Sequence, residues 1–198
     1  MQRRVALISF HACPLASPGE GKSGGMNVYV SQLSRSLNKL GIEVDIFTRD
    51  HQGSHTSYDN DLDGVRVIHL PGGDLEAPMD ELFGFLPEFL HNMRRFVSEG
   101  DINYGPVHSH NWYSAWIGRL FAQDMKANHV ITFHTLSLIK MQSRPGEFET
   151  LQRQDTERDL ITDTPAIVAF SPHERDAMAR LYGANLDNIN LVQCGVDL

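Results

Sequence analysis

A glycine-rich stretch near the start of the chain offers the clearest ligand-binding chemistry in the sequence. It reads Gly19-Glu20-Gly21-Lys22-Ser23-Gly24-Gly25-Met26-Asn27, between an apolar run at residues 5–10 and a segment with apolar residues at helical spacing. A strand, a glycine-rich turn and a helix in this order point free backbone N–H groups and the positive end of a helix dipole at an anion. The stretch therefore predicts a phosphate-binding loop, with a plain tight turn as the alternative.

The order of residues in this stretch excludes two common kinds of phosphate loop. Gly21-Lys22-Ser23 precedes the glycine pair instead of closing a G-x-x-x-x-G-K-S/T run, so the stretch is not a P-loop. It also lacks the G-x-G-x-x-G order, and the second apolar run ends in Phe47-Thr48-Arg49, without the acidic residue that binds a ribose. The missing G-x-G-x-x-G order and the missing acidic residue disfavour a flavodoxin-like or dehydrogenase domain.

Two histidines follow one short apolar run at a spacing that places them together. His108 and His110 stand at i and i+2 of a strand end, so their side chains lie on the same side. A zinc pair is one interpretation, although no third ligand is evident in the sequence. The other interpretation is that at least one of the histidines hydrogen-bonds the loop backbone.

Polar residues follow the next apolar run as well. His134-Thr135 ends the run at residues 130–133, in a place where a polar ligand group would sit, although a single histidine there can also be structural. Arg153 and Glu157 stand at i and i+4 of a helical pattern, and their spacing alone predicts a surface ion pair.

The elements that must position these residues alternate between strand and helix along the chain. Apolar β-type runs are expected at residues 5–10, 42–47, 65–70, 106–109, 130–133, 166–170 and 189–192. Helical patterns separate them, with a break expected at Pro87 in the pattern over 79–98, a helix around 147–162, and loops at 48–63 and around Lys140. This alternation predicts an α/β, Rossmann-like, doubly wound parallel sheet of six or seven strands, with its ligands beyond the carboxyl ends of the strands.

Composition limits the class of protein. The chain has 198 residues, 41% of them hydrophobic and 21% charged, which fits one well-filled globular domain. A net charge of −8 argues against non-specific nucleic-acid binding. No apolar run reaches the length of a membrane span, and the N-terminal run is too short for a signal peptide, so we expect a cytoplasmic protein with Cys13 and Cys194 reduced.

Several of these segments, taken in order, match one family. They are Gly24-Gly25-Met26-Asn27-Val28-Tyr29-Val30, His108-Ser109-His110 with Trp112, His134-Thr135-Leu136 with Lys140, Arg153 with Glu157, and the terminal Cys194-Gly195-Val196-Asp197-Leu198. Over almost its whole length the chain resembles the N-terminal domain of retaining GT-B glycosyltransferases of family four. The resemblance implies one half of a GT-B fold, in which two Rossmann-like domains face each other across a cleft.

The resemblance also implies a reaction and a set of ligands. A hexosyl unit would move from a nucleotide-sugar of the UDP or GDP type to a hydroxyl of a small phosphorylated polyol or sugar. Residues 1–198 would form the acceptor-binding domain, and the donor-binding domain would be absent, so that the chain alone is expected to be inactive. No metal or cofactor is required, since the nucleotide-sugar is a substrate.

Site residues carry over from the resemblance position by position. Gly24 and Gly25 would approach the donor diphosphate, where a side chain would keep the backbone away. His134 would lie by the reactive carbon of the donor sugar and support an oxocarbenium-like centre. The acceptor would be held by residues from several loops, namely His11, Asn27, Asn111, Thr135, Lys140 and Arg153.

Two positions depart from the family pattern. Family members that grip an acceptor phosphate carry a lysine near the position of Met79 and a tyrosine at the position of Asn111. Lys22 and Lys140 are the candidates to replace the lysine, and otherwise the acceptor differs. A stand-alone module that binds a sugar phosphate or nucleotide without catalysis is the alternative to a transferase domain.

Overall fold

The computed structural model describes residues 4–16, 24–50, 53, 57–144 and 146–195. Eight strands in these ranges form one sheet: β1 (Arg4–Ile8), β2 (Glu43–Arg49), β3 (Ser57–Leu62), β4 (Val65–Leu70), β5 (Val107–His110), β6 (His129–Thr132), β7 (Ile167–Ala169) and β8 (Ile189–Leu191). Their order is β3-β4-β2-β1-β5-β6-β7-β8, and every pairing is parallel except that of β3 with β4. The α/β, Rossmann-like parallel sheet expected from the apolar runs is thereby confirmed.

The edge strand β3 corrects one expectation, because residues 48–63 were predicted to be a loop. β3 pairs antiparallel with β4, and Leu62 lies opposite Val65 across a two-residue turn. The turn residues Asp63 and Gly64 both have positive φ, at 53° and 86°, as a tight hairpin with right-handed twist requires. The strand lacks an apolar run because it lies at the edge of the sheet, whereas its Asp-Gly turn is a hairpin signal.

Six helices are found in the described ranges: α1 (Gly25–Lys39), α2 (Leu86–Gly100), α3 (Asn111–Met125), α4 (Ser137–Ser143), α5 (Leu151–Asp163) and α6 (Pro172–Tyr182). The break expected at Pro87 is confirmed, since a 3₁₀ turn over Leu82–Phe85 gives way to α2 with the proline in its first turn. Lys140 lies in α4 and not in a loop. None of the helices in the described residues is long and apolar enough to cross a membrane.

Each face of the sheet has its own apolar core. In β1, Val5 and Leu7 pack with Val30 of α1 on one face, whereas Ala6 and Ile8 face a larger core built with α2, α3, α5 and α6. The alternation along β1 follows from the two-residue period of a strand. Burial on both faces explains the nearly continuous apolar runs of the central strands.

The order of strands reverses beside β1, which pairs with β2 on one side and β5 on the other. At such a switch point the connections on the two sides run to opposite faces of the sheet, which leaves a crevice outside the carboxyl ends of the strands. His11 follows β1, Asn111 follows β5, and His134 comes two residues after β6. The topology therefore places three of the expected site residues at the rim of one crevice.

Candidate functional site

His134 lies in a strained turn immediately after β6. Its φ is +63°, and Thr135 N–H donates to the carbonyl oxygen of Phe133 at 2.7 Å, which closes a three-residue γ-turn around the histidine. A γ-turn with positive φ is rare and strained, and backbone strain of this kind costs about 1–3 kcal/mol. Residues held in such conformations cluster at active sites, so this turn marks His134 as a functional candidate.

The imidazole of His134 is held by residues from three other elements. Its Nε2 lies 3.1 Å from Nδ1 of His110, so that one nitrogen donates and the other accepts. The rings of Tyr29 and Phe170 lie 5.2 and 5.4 Å away. Contacts from α1, β5 and the end of β7 therefore fix the ring at the crevice, and Nε2 of His110 is left buried without a hydrogen-bond partner in the described part of the chain.

Burial keeps this group of histidines neutral at neutral pH. Desolvation, reinforced by neighbouring histidines, lowers the pKa of His134 to about 3. Desolvation also lowers the pKa of His108 to about 4 and holds that of His110 well below its ordinary value. A neutral imidazole is compatible with a nearby centre that gains positive charge, whereas an imidazolium would repel it.

The two histidines of β5 lie on one side of the strand, as their spacing predicts, but their partners differ from both interpretations. His108 Nε2 lies 2.8 Å from Thr132 Oγ1, and His110 is bonded to His134, so both bond side chains of the neighbouring strand and its loop. Among the described residues no group of three or more His, Cys, Asp or Glu could hold a metal ion.

Asn111 is a second residue with left-handed backbone at this rim. It opens α3 with φ +76°, and its Oδ1 accepts from Tyr113 N–H at 3.4 Å. Asparagine tolerates this conformation better than most residues. The ring of His11, across the switch point, lies 5.6 Å from that of Tyr113. His11 and Asn111 thus border the same crevice, and their assignment to an acceptor stays a prediction.

The glycine pair begins α1, while residues 19–23 of the glycine-rich stretch, with Lys22, lie outside the described residues. Gly24 and Gly25 are exposed, and an added Cβ at either would meet no described heavy atom within 4 Å. Gly24 has extended backbone at φ −151°. Neither backbone conformation nor packing among the described residues explains the two glycines, and their role toward a diphosphate stays a prediction.

Asn27 ties this helix to the loop after β1. Its Nδ2 donates to the carbonyl oxygen of Cys13 at 2.6 Å, and its Oδ1 accepts from Gly24 N–H at 3.1 Å. The side chain is buried, and both of its polar groups form hydrogen bonds with the backbone. Asn27 therefore fixes the start of α1, and its contact with an acceptor stays a prediction.

Arg153 of α5 is part of a buried network, not the surface ion pair that its spacing suggests. Its Nε donates to Oε1 of Glu157 at 2.7 Å, and Glu157 is fully buried. The other oxygen of Glu157 accepts from Ser137 N–H, Ser137 Oγ and Tyr182 OH at 2.9, 2.6 and 2.7 Å. Burial opposes the charge on Arg153, but Glu157 and Glu149 outweigh it and raise the pKa of Arg153.

The Nη2 end of the Arg153 guanidinium faces the turn that contains His134. Nη2 donates to both the carbonyl oxygen and Oγ1 of Thr135, each at 3.2 Å, and the guanidinium lies 6.0 Å from the ring of Trp112. Thr135 is exposed, so the two side chains meet at the surface of the crevice. A guanidinium fork beside a hydroxyl is well suited to bind a phosphate.

Glu149 is the residue of this cluster that sequence reasoning missed. Its Oε1 accepts from Lys140 Nζ at 2.8 Å, and its Oε2 accepts from Arg153 Nη1 at 3.1 Å. Lys140 also pairs with Glu147 at 3.0 Å. The four-residue spacing of Glu149 and Arg153 was a usable signal, since it matches an i, i+4 pair. Tyr29 was also missed as a contact of His134, although it lies within the family segment that runs from Gly24 to Val30.

The sheet with this crevice defines the chain as a Rossmann-like domain of the GT-B glycosyltransferase type. In fold the chain is similar to a solved structure of sucrose-phosphate synthase from Thermosynechococcus elongatus, with a TM-score of 0.85 and 28% identity over 98% of this chain and 48% of that one. The sequence model of Glycosyltransferase Family 4 matches residues 23–198. The chain belongs to this family.

Two curated relatives show how far the similarity extends. The chain is 39% identical to the D-inositol 3-phosphate glycosyltransferase of Xylanimonas cellulosilytica, over 98% of this chain and 48% of that protein. It is 33% identical to the protein of the same name from Corynebacterium diphtheriae, over 100% of this chain and 47% of that protein. The chain thus spans about half the length of the curated relatives it matches.

Proposed function

We propose that this chain provides the acceptor side of a retaining transfer of a hexosyl unit from a nucleotide-sugar of the UDP or GDP type. The acceptor is a hydroxyl of a small phosphorylated polyol or sugar. The observation that carries the proposal is the placement of Arg153 and Thr135 beside the strained turn of His134, because it joins a phosphate-binding fork to a candidate reaction centre. The relatives support a phosphorylated acceptor, since both D-inositol 3-phosphate and sucrose-phosphate appear in their names.

His134 is proposed to act on the donor sugar as a neutral group. Its low pKa keeps it uncharged at neutral pH, so its ring dipole can face a carbon that gains positive charge as the bond to the leaving diphosphate breaks. The contacts of His110, Tyr29 and Phe170 hold the ring in place, which limits reorganisation during the reaction. No covalent nucleophile is assigned to this chain.

Gly24 and Gly25 are proposed to meet the diphosphate of the donor. The open space at both glycines supports this, as does their position at the N-terminal end of α1, where the helix dipole favours an anion. We propose that turnover also needs a donor-binding domain, so that the 198-residue chain alone binds ligands without transferring sugar. The half-length match to the relatives supports this division.

Replacing Arg153 with lysine is expected to weaken binding of a phosphorylated polyol about tenfold. Lysine keeps a cation beside Glu157 but loses the planar fork, and one charge-assisted hydrogen bond is worth about 1.5–3 kcal/mol. The dissociation constant of the unphosphorylated polyol is expected to stay within about twofold. Isothermal titration with D-inositol 3-phosphate and inositol measures both constants.

Arg158→Lys is the matched control, because Arg158 lies on the same helix and its one ion pair among the described residues is with the exposed Asp155. It is expected to change neither constant. Equal losses for both ligands in the Arg153→Lys protein would show that Arg153 does not bind the phosphate.

A further inference from the structure

The carboxylate of Glu149 occupies the position between the two basic side chains of the crevice. One oxygen accepts from Lys140 and the other from Arg153, at 2.8 and 3.1 Å. Its side chain is 15% exposed, so the ion pairs are only partly screened by water. Two oxygens that bridge an ammonium and a guanidinium reproduce what two oxygens of a phosphate would do there.

Arg153 has little donor capacity left for a ligand while Glu149 is in place. Each of its three guanidinium nitrogens already donates: Nε to Glu157, Nη1 to Glu149 and Nη2 to Thr135. The hydrogen bond from Arg153 to Glu157 is costly to break, because Glu157 is fully buried and also accepts hydrogen bonds from Ser137 and Tyr182. Glu149 is therefore the partner that an entering anion can displace.

The charges of the cluster also favour displacement of Glu149 by an entering phosphate. The cluster pairs three cations with three carboxylates and so carries no net charge; its members are Lys140, Arg144, Arg153, Glu147, Glu149 and Glu157. A phosphate dianion that entered beside Glu149 would be repelled by it. If Glu149 turns outward into water, the ligand meets two cations in its place.

The backbone around Glu149 differs from that around its cationic partners. Lys140 and Arg153 lie on α4 and α5, whereas Glu149 lies on the short connection that runs from Gly146 to the helix cap Thr150. Gly146 has φ +94°, and the neighbouring Phe148 is 87% exposed. The backbone carbonyl of Glu149 accepts from Gln154 Nε2 at 2.9 Å, so a rotation of the Glu149 side chain moves the carboxylate while the backbone and both cations stay in place.

We propose that Glu149 is a displaceable counter-ion that makes the crevice selective for dianionic phosphate. This inference rests on the proposed phosphate-binding role of Arg153. Because Glu149 is tethered, it competes at a high effective concentration. A monoanion that makes one weak contact fails to displace it, whereas a dianion that bridges both cations succeeds. Glu149 thereby sets specificity without touching the bound ligand.

The test is to titrate the 198-residue chain with inorganic phosphate and with acetate at about pH 8, where phosphate is a dianion. Glu149→Gln keeps the size of the side chain and removes its charge. It is expected to tighten phosphate binding about tenfold and to make acetate binding measurable, so that selectivity falls. Glu147→Gln is the matched control, since Glu147 pairs with Lys140 but not with Arg153, and it is expected to change phosphate binding less than about threefold.

Arg153→Lys, made both in the unaltered chain and in the Glu149→Gln variant, separates this inference from the proposed function. Loss of phosphate binding with Arg153→Lys, together with unchanged or weaker binding in Glu149→Gln, would overturn the counter-ion role and leave the phosphate site standing. Phosphate binding that is indifferent to Arg153→Lys would overturn both. No phosphate binding in any variant, Glu149→Gln included, would also overturn the counter-ion role.

A measurement on the unaltered chain guards against variants that fail to fold. The carboxyl ¹³C resonance of Glu149 is expected to move when phosphate saturates the wild-type chain, because the carboxylate loses two cationic partners. A resonance that stays in place while Arg153 signals report binding would contradict displacement.

Discussion

Acidification from about pH 7.5 to about pH 5 is expected to lower the free energy of unfolding of this protein by several kcal/mol. Burial lowers the pKa of His129 and His134 to about 3 and that of His108 to about 4, and holds His110 well below its ordinary value. Below about pH 6.5 the unfolded chain therefore binds protons that the folded chain excludes. Each such histidine removes about 1 kcal/mol per pH unit, against a total stability of about 5–15 kcal/mol.

The pH window of this effect, not its sign, distinguishes it from the effect of ion pairs. The contribution of a neutral buried histidine is fully present above about pH 6.5 and is lost as the pH falls toward the folded pKa. Hydrogen bonds from Lys140 and Arg144 lower the pKa of Glu147. Burial opposes the charge on Glu149, but Lys140 and Arg153 outweigh it and lower its pKa, so both carboxylates titrate below this window. The interval from about pH 7 to about pH 5 therefore reports mainly on the histidines.

Urea unfolding at several pH values measures the effect. His129→Gln removes one of the groups at a site away from the crevice, where the ring lies 2.9 Å from Ser109 Oγ, and is expected to reduce the pH dependence by about one proton. The exposed His173→Gln is the control. A free energy of unfolding that stays constant from about pH 7 to about pH 5 would contradict the neutral, buried histidine cluster.

His134→Ala is expected to lower kcat by about 10²–10³-fold in a protein that joins this chain to the proposed donor-binding domain. The loss follows from the position of the imidazole in a strained turn, fixed by His110, Tyr29 and Phe170. The dissociation constant of the acceptor is expected to change less than about threefold, because Arg153 and Thr135 stay in place.

Steady-state kinetics with both substrates varied, together with acceptor titration, separates the two quantities. His91→Ala, at an exposed position of α2, is the control for a histidine outside the crevice. Equal losses in kcat and in acceptor affinity would reduce His134 to a binding residue, and an unchanged kcat would remove it from the reaction altogether.

The sheet was predictable because its central strands are buried on both faces and so appear as apolar runs. The strand at the edge was not predicted, because Ser57–Leu62 is polar, and the Asp63-Gly64 turn was its only clear signal. The break at Pro87 was predictable from the chemistry of proline alone. Local patterns therefore account for most of the elements in the described residues.

The site was predictable in its parts but not in its partners. The spacing of Arg153 and Glu157 indicated contact, but not burial, because Ser137 and Tyr182 reach Glu157 from two other helices. The two histidines of β5, His108 and His110, were correctly placed on one side of the strand. Their partners depend on the register of β5 with β6, where His110 lies opposite Thr132, and no local pattern contains that register.

We propose that the crevice beside His134 binds the phosphate of an acceptor through Arg153 and Thr135. A crystal structure of the chain with D-inositol 3-phosphate tests it most directly. The expected result places phosphate oxygens about 3 Å from the guanidinium of Arg153 and from Thr135 Oγ1, with the inositol ring toward His134 and Glu149 turned away. A phosphate bound elsewhere, such as at Gly24 and Gly25, with Glu149 still paired to Arg153, would contradict the claim.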